Sequence, residues 1–320
     1  MTMRLFASRA IFPLVMGGCV LGAGLTMGET LSPLGATLLF NVIAAAMIIV
    51  AERLIPYCED WNRSHDDVGP DLGHMIGSML VVPELIRLAI IGTLLVASTK
   101  LTLLIGQDLW PHQWPLALQL ALALVAGELG QYGFHRLSHE KEFLWRIHAL
   151  HHSAPRLYWL NAGRFHPLDT AANYLLSAPL LILLGCGEEV IALFLLVTGI
   201  HGMFQHANID VKLGPLNWVF SMAELHRWHH VRDTRESLCN YGANLIVWDI
   251  VFGTRYLPSE RQPPTDIGIG DMPDFPKRYI AQLASPFQWP SLPRINEETR
   301  TVETAGTLGD REERPPAPTK

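Results

Sequence analysis

Charged residues are scarce in this 320-residue chain, where Asp, Glu, Lys and Arg make up only 17% of the sequence. Soluble globular proteins carry about 25% charged residues, whereas 49% of this sequence is hydrophobic. This balance argues against a disordered chain and against an ordinary soluble enzyme. The net charge is −6 and no basic stripe is present, which argues against a nucleic-acid-binding protein. We expect an integral membrane protein.

Cysteine is also scarce, and its distribution narrows the possible metal and redox sites. The four cysteines are Cys19, Cys58, Cys186 and Cys239. They are widely spaced and form no C-x-x-C motif, so neither a zinc ribbon nor a thioredoxin-like motif is indicated. Nothing in their spacing indicates a disulfide framework either.

Apolar runs predict the membrane-spanning segments, because a helix needs about 20 apolar residues to cross a bilayer. Four such runs cover about residues 11–27, 34–54, 79–105 and 114–134. Two shorter runs, at about 171–184 and 190–204, predict a hairpin that need not cross fully. The first run also fits a cleaved signal peptide, but no A-x-A-like cleavage site follows it. We therefore favour a retained span.

Basic residues predict how these segments are oriented. With the N-terminus inside, the outer connections are about residues 28–33, 106–113 and 185–189, and none contains Lys or Arg. The inner segments carry the basic residues, as the positive-inside rule expects. Only Lys100 lies near an outer end. We predict cytoplasmic N- and C-termini and a bacterial inner-membrane location.

Histidine is the residue that this chain has in excess. Eleven of the 14 histidines lie between His135 and His230. Three groups have helical spacing, which places their imidazoles on one helix face: His135 and His139; His148, His151 and His152; and His226, His229 and His230. Imidazole is a good ligand for iron, zinc and copper. Eight such residues exceed what one four-coordinate ion can use, so we predict two metal ions.

Other histidine sites fit the pattern less well. The zinc-protease motif H-E-x-x-H is absent, because Lys141, Glu142 and Phe143 follow His139-Glu140. Paired haem ligands would need well-separated single histidines on facing spans, and a structural zinc finger normally uses cysteine. His201 and His206 lie five residues apart near the end of the hairpin, and His166 precedes Pro167.

These motifs resemble those of the fatty acid hydroxylase/sterol desaturase superfamily of membrane non-haem di-metal oxygenases. The resemblance covers about residues 128–254, from the first histidine pair through Arg164–Pro167 and His206 to the Asn240–Asn244, Trp248-Asp249 and Phe252–Thr254 segments. It implies an all-α membrane protein, with about four transmembrane helices, a hairpin and a cytoplasmic His-rich helical cap. It divides the chain into membrane anchor helices (1–127), a catalytic region (128–257) and a Pro-rich extension (258–320), which we predict to be disordered from about residue 296.

The resemblance also implies a site and an activity. The metal ligands it implies are His135, His139, His148, His151, His152, His201, His206, His226, His229 and His230, with His166 matching a histidine found in only part of the family. Two iron ions would use O2 as co-substrate to hydroxylate or desaturate a membrane lipid such as a fatty acyl, sterol-like or other isoprenoid lipid. The electrons would come from a separate ferredoxin- or cytochrome b5-like protein.

Polar residues near the ligands suggest a supporting shell. We expect Asp249 to orient a histidine through its ring N–H. Glu128 lies seven residues before His135 on the same helix face, and a carboxylate inside a span is usually functional. Either Glu128 or Asn244 could hydrogen-bond a ligand histidine, although Glu128 could instead make a packing contact with a neighbouring helix. A non-catalytic metal-binding membrane carrier or sensor is the alternative function.

Overall fold

The structure is a computed structural model that describes residues 3–233 and 235–295. Within these ranges the chain is helical, and its extended segments meet only in four isolated β-bridges. The expectation of an all-α membrane protein is confirmed. The segment predicted to be disordered, from about residue 296, lies outside the described residues.

Twelve α-helices are present among the described residues. In chain order they are α1 (Met3–Thr26), α2 (Pro33–Leu54), α3 (Val68–His74), α4 (Val82–Ile105), α5 (Leu116–Glu140), α6 (Glu142–His152), α7 (Pro167–Leu175), α8 (Ala178–Leu183), α9 (Glu188–His206), α10 (Ala223–His229), α11 (Val247–Val251) and α12 (Tyr279–Ala284). A π-helical segment, Met75–Val81, joins α3 to α4 in one continuous helix. Four 3-10 turns, at Asp60–Asn62, Trp159–Gly163, Gly214–Trp218 and Trp289–Ser291, lie between the longer elements.

Four helices are long and apolar enough to span a membrane: Met3–Thr26, Pro33–Leu54, Val68–Ile105 and Glu188–His206. The first three contain the first three predicted spans. The fourth differs from the prediction, because α9 had been expected only as half of a short hairpin. Helix α5 covers the fourth predicted run and has 25 residues, but it is not among these four. Its polar residues Gln119, Glu128 and Gln131 lower its mean hydropathy.

Helix α9 is the central helix of the bundle. It packs against α1, α2, α5 and α10. In its most apolar 18-residue stretch, 67% of the residues are buried. Close approach to α2 depends on a residue without a side chain, since a Cβ on Gly199 would lie 2.5 Å from Asn41 Oδ1. The Thr37 hydroxyl of α2 also donates to the Ala192 carbonyl of α9 at 3.1 Å. These contacts explain why a helix with the length of a span is largely surrounded by protein.

The N-terminal end of α1 and the C-terminal ends of α2 and α9 meet at one end of the bundle. Arg4 Nη2 donates to the Pro56 carbonyl at 2.8 Å, and Pro56 forms an isolated antiparallel bridge with Ile209. Lys212 N donates to the Ser8 carbonyl of α1 at 3.0 Å. The histidines of α9 and α10 lie at this same end, where the loops following the helices form a cap.

Buried ion pairs hold the cap on the bundle. Arg156 makes a bidentate contact with Asp67, at 2.6 and 2.9 Å, and Arg164 Nη1 lies 2.5 Å from Asp71 Oδ1. All four side chains are at most 5% exposed. Breaking a buried pair leaves an uncompensated charge and costs about 3–5 kcal/mol. These contacts therefore fix residues 156–164, which connect α6 to α7, against the start of the α3–α4 helix.

Candidate metal centre

Four helices bring nine histidines together. Helix α5 ends with His135 and His139, and α9 ends with His206. Helices α6 and α10 carry the H-x-x-H-H motifs, and the third helical turn of α6 directs all three of its histidines toward the facing helices. Because helical spacing alone aligns each motif, packing of α5, α6, α9 and α10 is sufficient to gather the nine imidazoles.

The histidines form two clusters. The first, called the five-His cluster, contains His135, His139, His148, His152 and His229. The second, called the four-His cluster, contains His151, His206, His226 and His230. Within each cluster the candidate ligand atoms all lie within 4.8 Å of one another. The adjacent residues His151 and His152 enter different clusters, so α6 joins the two.

The five rings of the five-His cluster all have an Nε2 atom without a hydrogen bond in the described part of the chain. All five Nε2 atoms are buried, and none has a hydrogen-bond partner among the described residues. In three of them the acceptor at Nδ1 fixes the tautomer. His135 Nδ1 donates to the Tyr241 carbonyl and His229 Nδ1 to the Cys239 carbonyl, both at 2.8 Å. Because a carbonyl can only accept, each of these rings carries its proton on Nδ1 and presents a bare Nε2 lone pair.

The third of these rings is held by a carboxylate. His148 Nδ1 donates to Asp169 Oδ2 at 2.7 Å, and both side chains are at most 3% exposed. Asp169 lies in the first turn of α7 and also accepts a hydrogen bond from Asn173 Nδ2 at 2.7 Å. A carboxylate behind a ligating histidine orients the ring and raises its basicity.

The four-His cluster shows the same need for a cation. His226 Nε2 lies 3.0 Å from both His206 Nε2 and His230 Nε2. Asn161 Nδ2 donates to the Arg156 carbonyl, which leaves Asn161 Oδ1 as the acceptor for His206 Nδ1 at 2.9 Å. His206 therefore presents a bare Nε2. A single His226 nitrogen cannot both donate to one neighbour and accept from the other, whereas one metal ion satisfies all three.

Burial keeps the cluster imidazoles neutral. Loss of hydration lowers the pKa well below the ordinary value of 6.5 for His151, His152, His226, His229 and His230. Neighbouring histidines lower these pKa values further, because two adjacent imidazolium charges repel. Neutral imidazole is the form that binds metals. The bare Nε2 atoms, their neutrality and their spacing together fit two metal ions.

Two of the predicted ligands lie outside both clusters. His201 is fully buried in α9, where its ring packs edge-on against Phe12 with centroids 5.7 Å apart. His166 caps α7, since its Nδ1 accepts from Leu168 N at 3.2 Å and its Nε2 contacts the Leu283 carbonyl at 3.1 Å. His201 therefore packs in an aromatic part of the core, and His166 serves as a helix cap.

Within the described part of the chain, the side chains of the predicted supporting residues form no hydrogen bond with a histidine. Asp249 accepts hydrogen bonds from Tyr241 N, Gly242 N and the Thr254 hydroxyl at 2.7–2.8 Å. Asp249 thereby fixes the peptide group whose Tyr241 carbonyl accepts the hydrogen bond from His135 Nδ1. It acts on His135 through this peptide and not through the ring N–H.

Glu128 and Asn244 lie on the same side of the site as Asp249. The Glu128 carboxylate accepts from Leu245 N at 2.9 Å. Asn244 Nδ2 donates to the Thr198 hydroxyl at 3.3 Å, while the Asn244 carbonyl accepts from Ser221 N. Both residues anchor the loop that follows the histidines of α10. The contact of Glu128 is with this loop and not with a neighbouring helix.

Sequence reasoning missed two residues that do contact the ligands. Asp169 receives His148, and Asn161 receives His206. A usable signal for Asp169 was its place three residues after His166, in the first turn of a helix begun by Pro167. Asn161 had no such signal, because only the folded loop brings it to the end of α9.

Known proteins resemble the chain over this same region. Residues 120–254 match the fatty acid hydroxylase family. Ornithine lipid hydroxylase OlsE of Rhizobium tropici is 41% identical over 255 residues, covering 78% of this chain and 75% of the relative. Alkylglycerol monooxygenase of Danio rerio is 30% identical over 141 residues, covering 44% of this chain and 31% of the relative.

A third relative has a different lipid class in its name. Methylsterol monooxygenase 1 of Rattus norvegicus is 29% identical over 159 residues, covering 45% of this chain and 51% of the relative. No solved structure matches the chain. Because all three relatives are named for oxygenation of a lipid, the comparisons do not favour a non-catalytic carrier or sensor.

Proposed function

The chain belongs to the fatty acid hydroxylase family of membrane oxidoreductases, and we propose that it uses O2 and two iron ions to hydroxylate a membrane lipid. One observation carries the proposal: nine buried histidines converge in a five-His and a four-His cluster, with bare or competing Nε2 atoms at each centre. The members of the two clusters are the ligands we propose. His201 and His166 are not included, because their contacts lie elsewhere.

Iron would supply the redox chemistry that an unactivated C–H bond requires and that acid–base side chains lack. The chain's own residues bind, orient and insulate. The Nδ1 acceptors hold three rings of the five-His cluster in position, and Asn161 holds His206. Phe165 stacks on His151 at 4.0 Å and so covers the ring from the side of the cap loop. Such fixed, water-poor surroundings favour a single reaction geometry.

The substrate we propose is an ornithine lipid or a related lipid that contains an amino acid. Support comes from the named relative, which is similar over most of both chains. Hydroxylation is proposed rather than desaturation, because all the named relatives are hydroxylases or monooxygenases. The electron donor would be a separate ferredoxin- or cytochrome b5-like protein.

We also propose an inner-membrane location with the His-rich end in the cytoplasm. The N-terminal end of α1 lies at the same end of the bundle as the clusters, through the Arg4–Pro56 and Lys212–Ser8 hydrogen bonds. The basic residues of the sequence favour the cytoplasm for this end. A fluorescent protein fused to the C-terminus should fold and fluoresce, whereas a periplasmic C-terminus would leave it dark.

The activity is tested in bacterial cells that make ornithine lipid. Expression of the full chain should yield lipid heavier by one oxygen atom, in an O2-dependent manner, as measured by mass spectrometry. The His151→Ala and His229→Ala variants, one from each cluster, should lose the product and part of the bound iron. Loss of two hydrogen atoms instead would indicate a desaturase, and full iron with full turnover in both variants would refute the ligand assignment.

A further inference from the structure

A second polar site lies outside the histidine clusters. It is a pocket of about 370 Å³ between the segment that follows α9, the start of α10 and residues 255–263. Its charged lining residues are Lys212, Glu224, Arg227, Arg255 and Arg261. Four cationic side chains therefore face one carboxylate, in a chain in which acidic residues outnumber basic ones by 30 to 24.

The single carboxylate does not neutralise this pocket. Glu224 Oε2 already accepts hydrogen bonds from Leu213 N at 2.7 Å and from Asn217 Nδ2 at 2.8 Å. The two outer cations have partners, since Lys212 pairs with Asp210 and Arg261 with Glu236. The inner pair, Arg227 and Arg255, remains without a carboxylate.

Arg227 and Arg255 are held in place without an ion pair in the described part of the chain. Arg227 is 1% exposed, and its Nη2 donates to the Ala207 and Ile209 carbonyls at 2.9 and 2.6 Å. The Cζ atom of Arg255 lies 3.8 Å above the centre of the Trp218 ring. Stacking and backbone contacts fix both guanidinium groups but do not balance their charge.

Several polar atoms of the pocket also lack partners. Arg227 Nε, Arg255 Nε and Asn217 Oδ1 are buried without a hydrogen-bond partner among the described residues. Buried donors of this kind are costly to leave unpaired, and the N–H groups of two guanidiniums match the oxygens of a carboxylate or phosphate. The pocket therefore presents two unmet charged donors to any anion that enters it.

The rim of the pocket is apolar on one side. Trp218 is 61% exposed, and its neighbours Leu216 and Val219 are also exposed. The Lys212 N to Ser8 carbonyl hydrogen bond places the pocket beside the start of α1, which is long and apolar enough to span a membrane. Exposed tryptophan beside cationic groups is typical of a membrane–water interface. The chemistry of the pocket and its rim thus matches an amphiphile rather than a free ion.

We propose that this pocket binds the phosphate or carboxylate of an anionic lipid headgroup, with Arg255 and Arg227 holding the anion and Trp218, Leu216 and Val219 contacting the acyl chains. The site is separate from the histidine clusters, because Arg227 turns away from them toward the Ala207 and Ile209 carbonyls.

Binding can be measured without turnover, on the iron-loaded full chain in a neutral detergent. The probes are dihexanoyl phosphatidylglycerol, dihexanoyl phosphatidylcholine and inorganic phosphate. Thermal unfolding is followed at increasing concentrations of each probe, because a ligand that binds only the native state stabilises it by RT ln(1 + [L]/Kd) and so raises the unfolding temperature. This measurement is independent of the proposed hydroxylation, so the two proposals can fail separately.

The expected result is a concentration-dependent stabilisation by phosphatidylglycerol that phosphatidylcholine and inorganic phosphate do not match. Arg255→Gln should weaken it by on the order of tenfold, because a charge-assisted contact is lost. Lys212→Gln provides a second test at the outer edge, should Arg255→Gln fail to fold. Arg63→Gln is the matched control, since the Arg63 side chain is 83% exposed and does not line the pocket.

Three outcomes would overturn the proposal. Equal stabilisation by the anionic and the zwitterionic lipid would show that binding does not depend on the charge of the headgroup. Unchanged binding in the pocket variants, or an equal loss in Arg63→Gln, would show that binding takes place elsewhere. Stabilisation by inorganic phosphate as strong as that by the lipid would show a site for free anions instead.

Discussion

Replacing Asp169 tests whether a carboxylate behind His148 sets the strength of the five-His cluster. Asp169→Asn keeps the size of the side chain and, with its amide oxygen toward His148 Nδ1, replaces the charged acceptor at 2.7 Å by a neutral one. The side-chain hydrogen bond from Asn173 Nδ2 is then lost, because the amide has only one oxygen. Asp169→Ala removes the acceptor altogether. Both changes leave all nine cluster histidines in the chain.

The magnitude follows from the type of hydrogen bond. A contact to a charged group contributes about 1.5–3 kcal/mol and a neutral one about 0.5–1.5 kcal/mol. The difference of about 1–1.5 kcal/mol corresponds to a roughly tenfold weaker affinity for one metal ion. Loss of the acceptor in Asp169→Ala should approach the upper end of the 10- to 100-fold range found for residues behind a ligand.

The assay is competition with a chelator, with the iron remaining per chain measured by elemental mass spectrometry. One of the two proposed irons should be lost more readily in Asp169→Asn and more readily still in Asp169→Ala. Asp60→Asn is the control, because Asp60 has a side chain 62% exposed and lies outside both clusters. Native iron retention in both Asp169 variants, with the fold intact, would refute the reasoning.

Three further predictions address stability. Gly130→Ala should destabilise the fold by about 1–3 kcal/mol, because its Cβ would lie 2.5 Å from the Leu176 carbonyl oxygen. Gly133→Ala on the same helix is the control, since its Cβ would meet nothing within 4 Å and should be neutral or stabilising. Equal melting temperatures of the two variants would contradict this. Arg156→Ala should cost about 3–5 kcal/mol by stranding the buried Asp67 carboxylate, and a loss below about 1 kcal/mol in chemical unfolding would disprove that role. Burial lowers the pKa of five cluster histidines in the folded chain, so these residues take up protons near pH 6.5 only when the chain unfolds. The melting temperature of the metal-free protein should therefore fall as the pH drops through 6.5. A melting temperature that does not change with pH would exclude this linkage.

The helical membrane architecture followed from the sequence because long apolar runs permit few other structures. Three of the four spanning helices were located in this way. The status of α5 and α9 was not, because the sequence placed a full span at 114–134 and only half of a hairpin at 190–204. Helix α9 is surrounded by four other helices, and this burial cannot be recognised from the hydropathy of its own sequence.

Eight of the nine clustered histidines were also identifiable, since helical spacing puts the members of each motif on one face, and the family resemblance added His206. Their division into five and four was not, because His151 and His152 are neighbours in sequence and enter different clusters. Asp249 was expected to orient a histidine through its ring N–H. Its carboxylate accepts instead from Tyr241 N and Gly242 N, beside the Tyr241 carbonyl that receives His135. Asn161 entered the site through the fold of a loop.

The class of protein, the residue type of the proposed metal ligands and the end of the bundle at which those histidines lie were already evident from the sequence alone. These properties depend on composition and on helical periodicity, which act within one segment. Packing of the folded chain sets which imidazoles share a cluster, which acceptors hold them and where four cations meet beside the membrane-spanning helices. Such arrangements join residues far apart in the chain, and their energies depend on burial and on distances that packing alone sets.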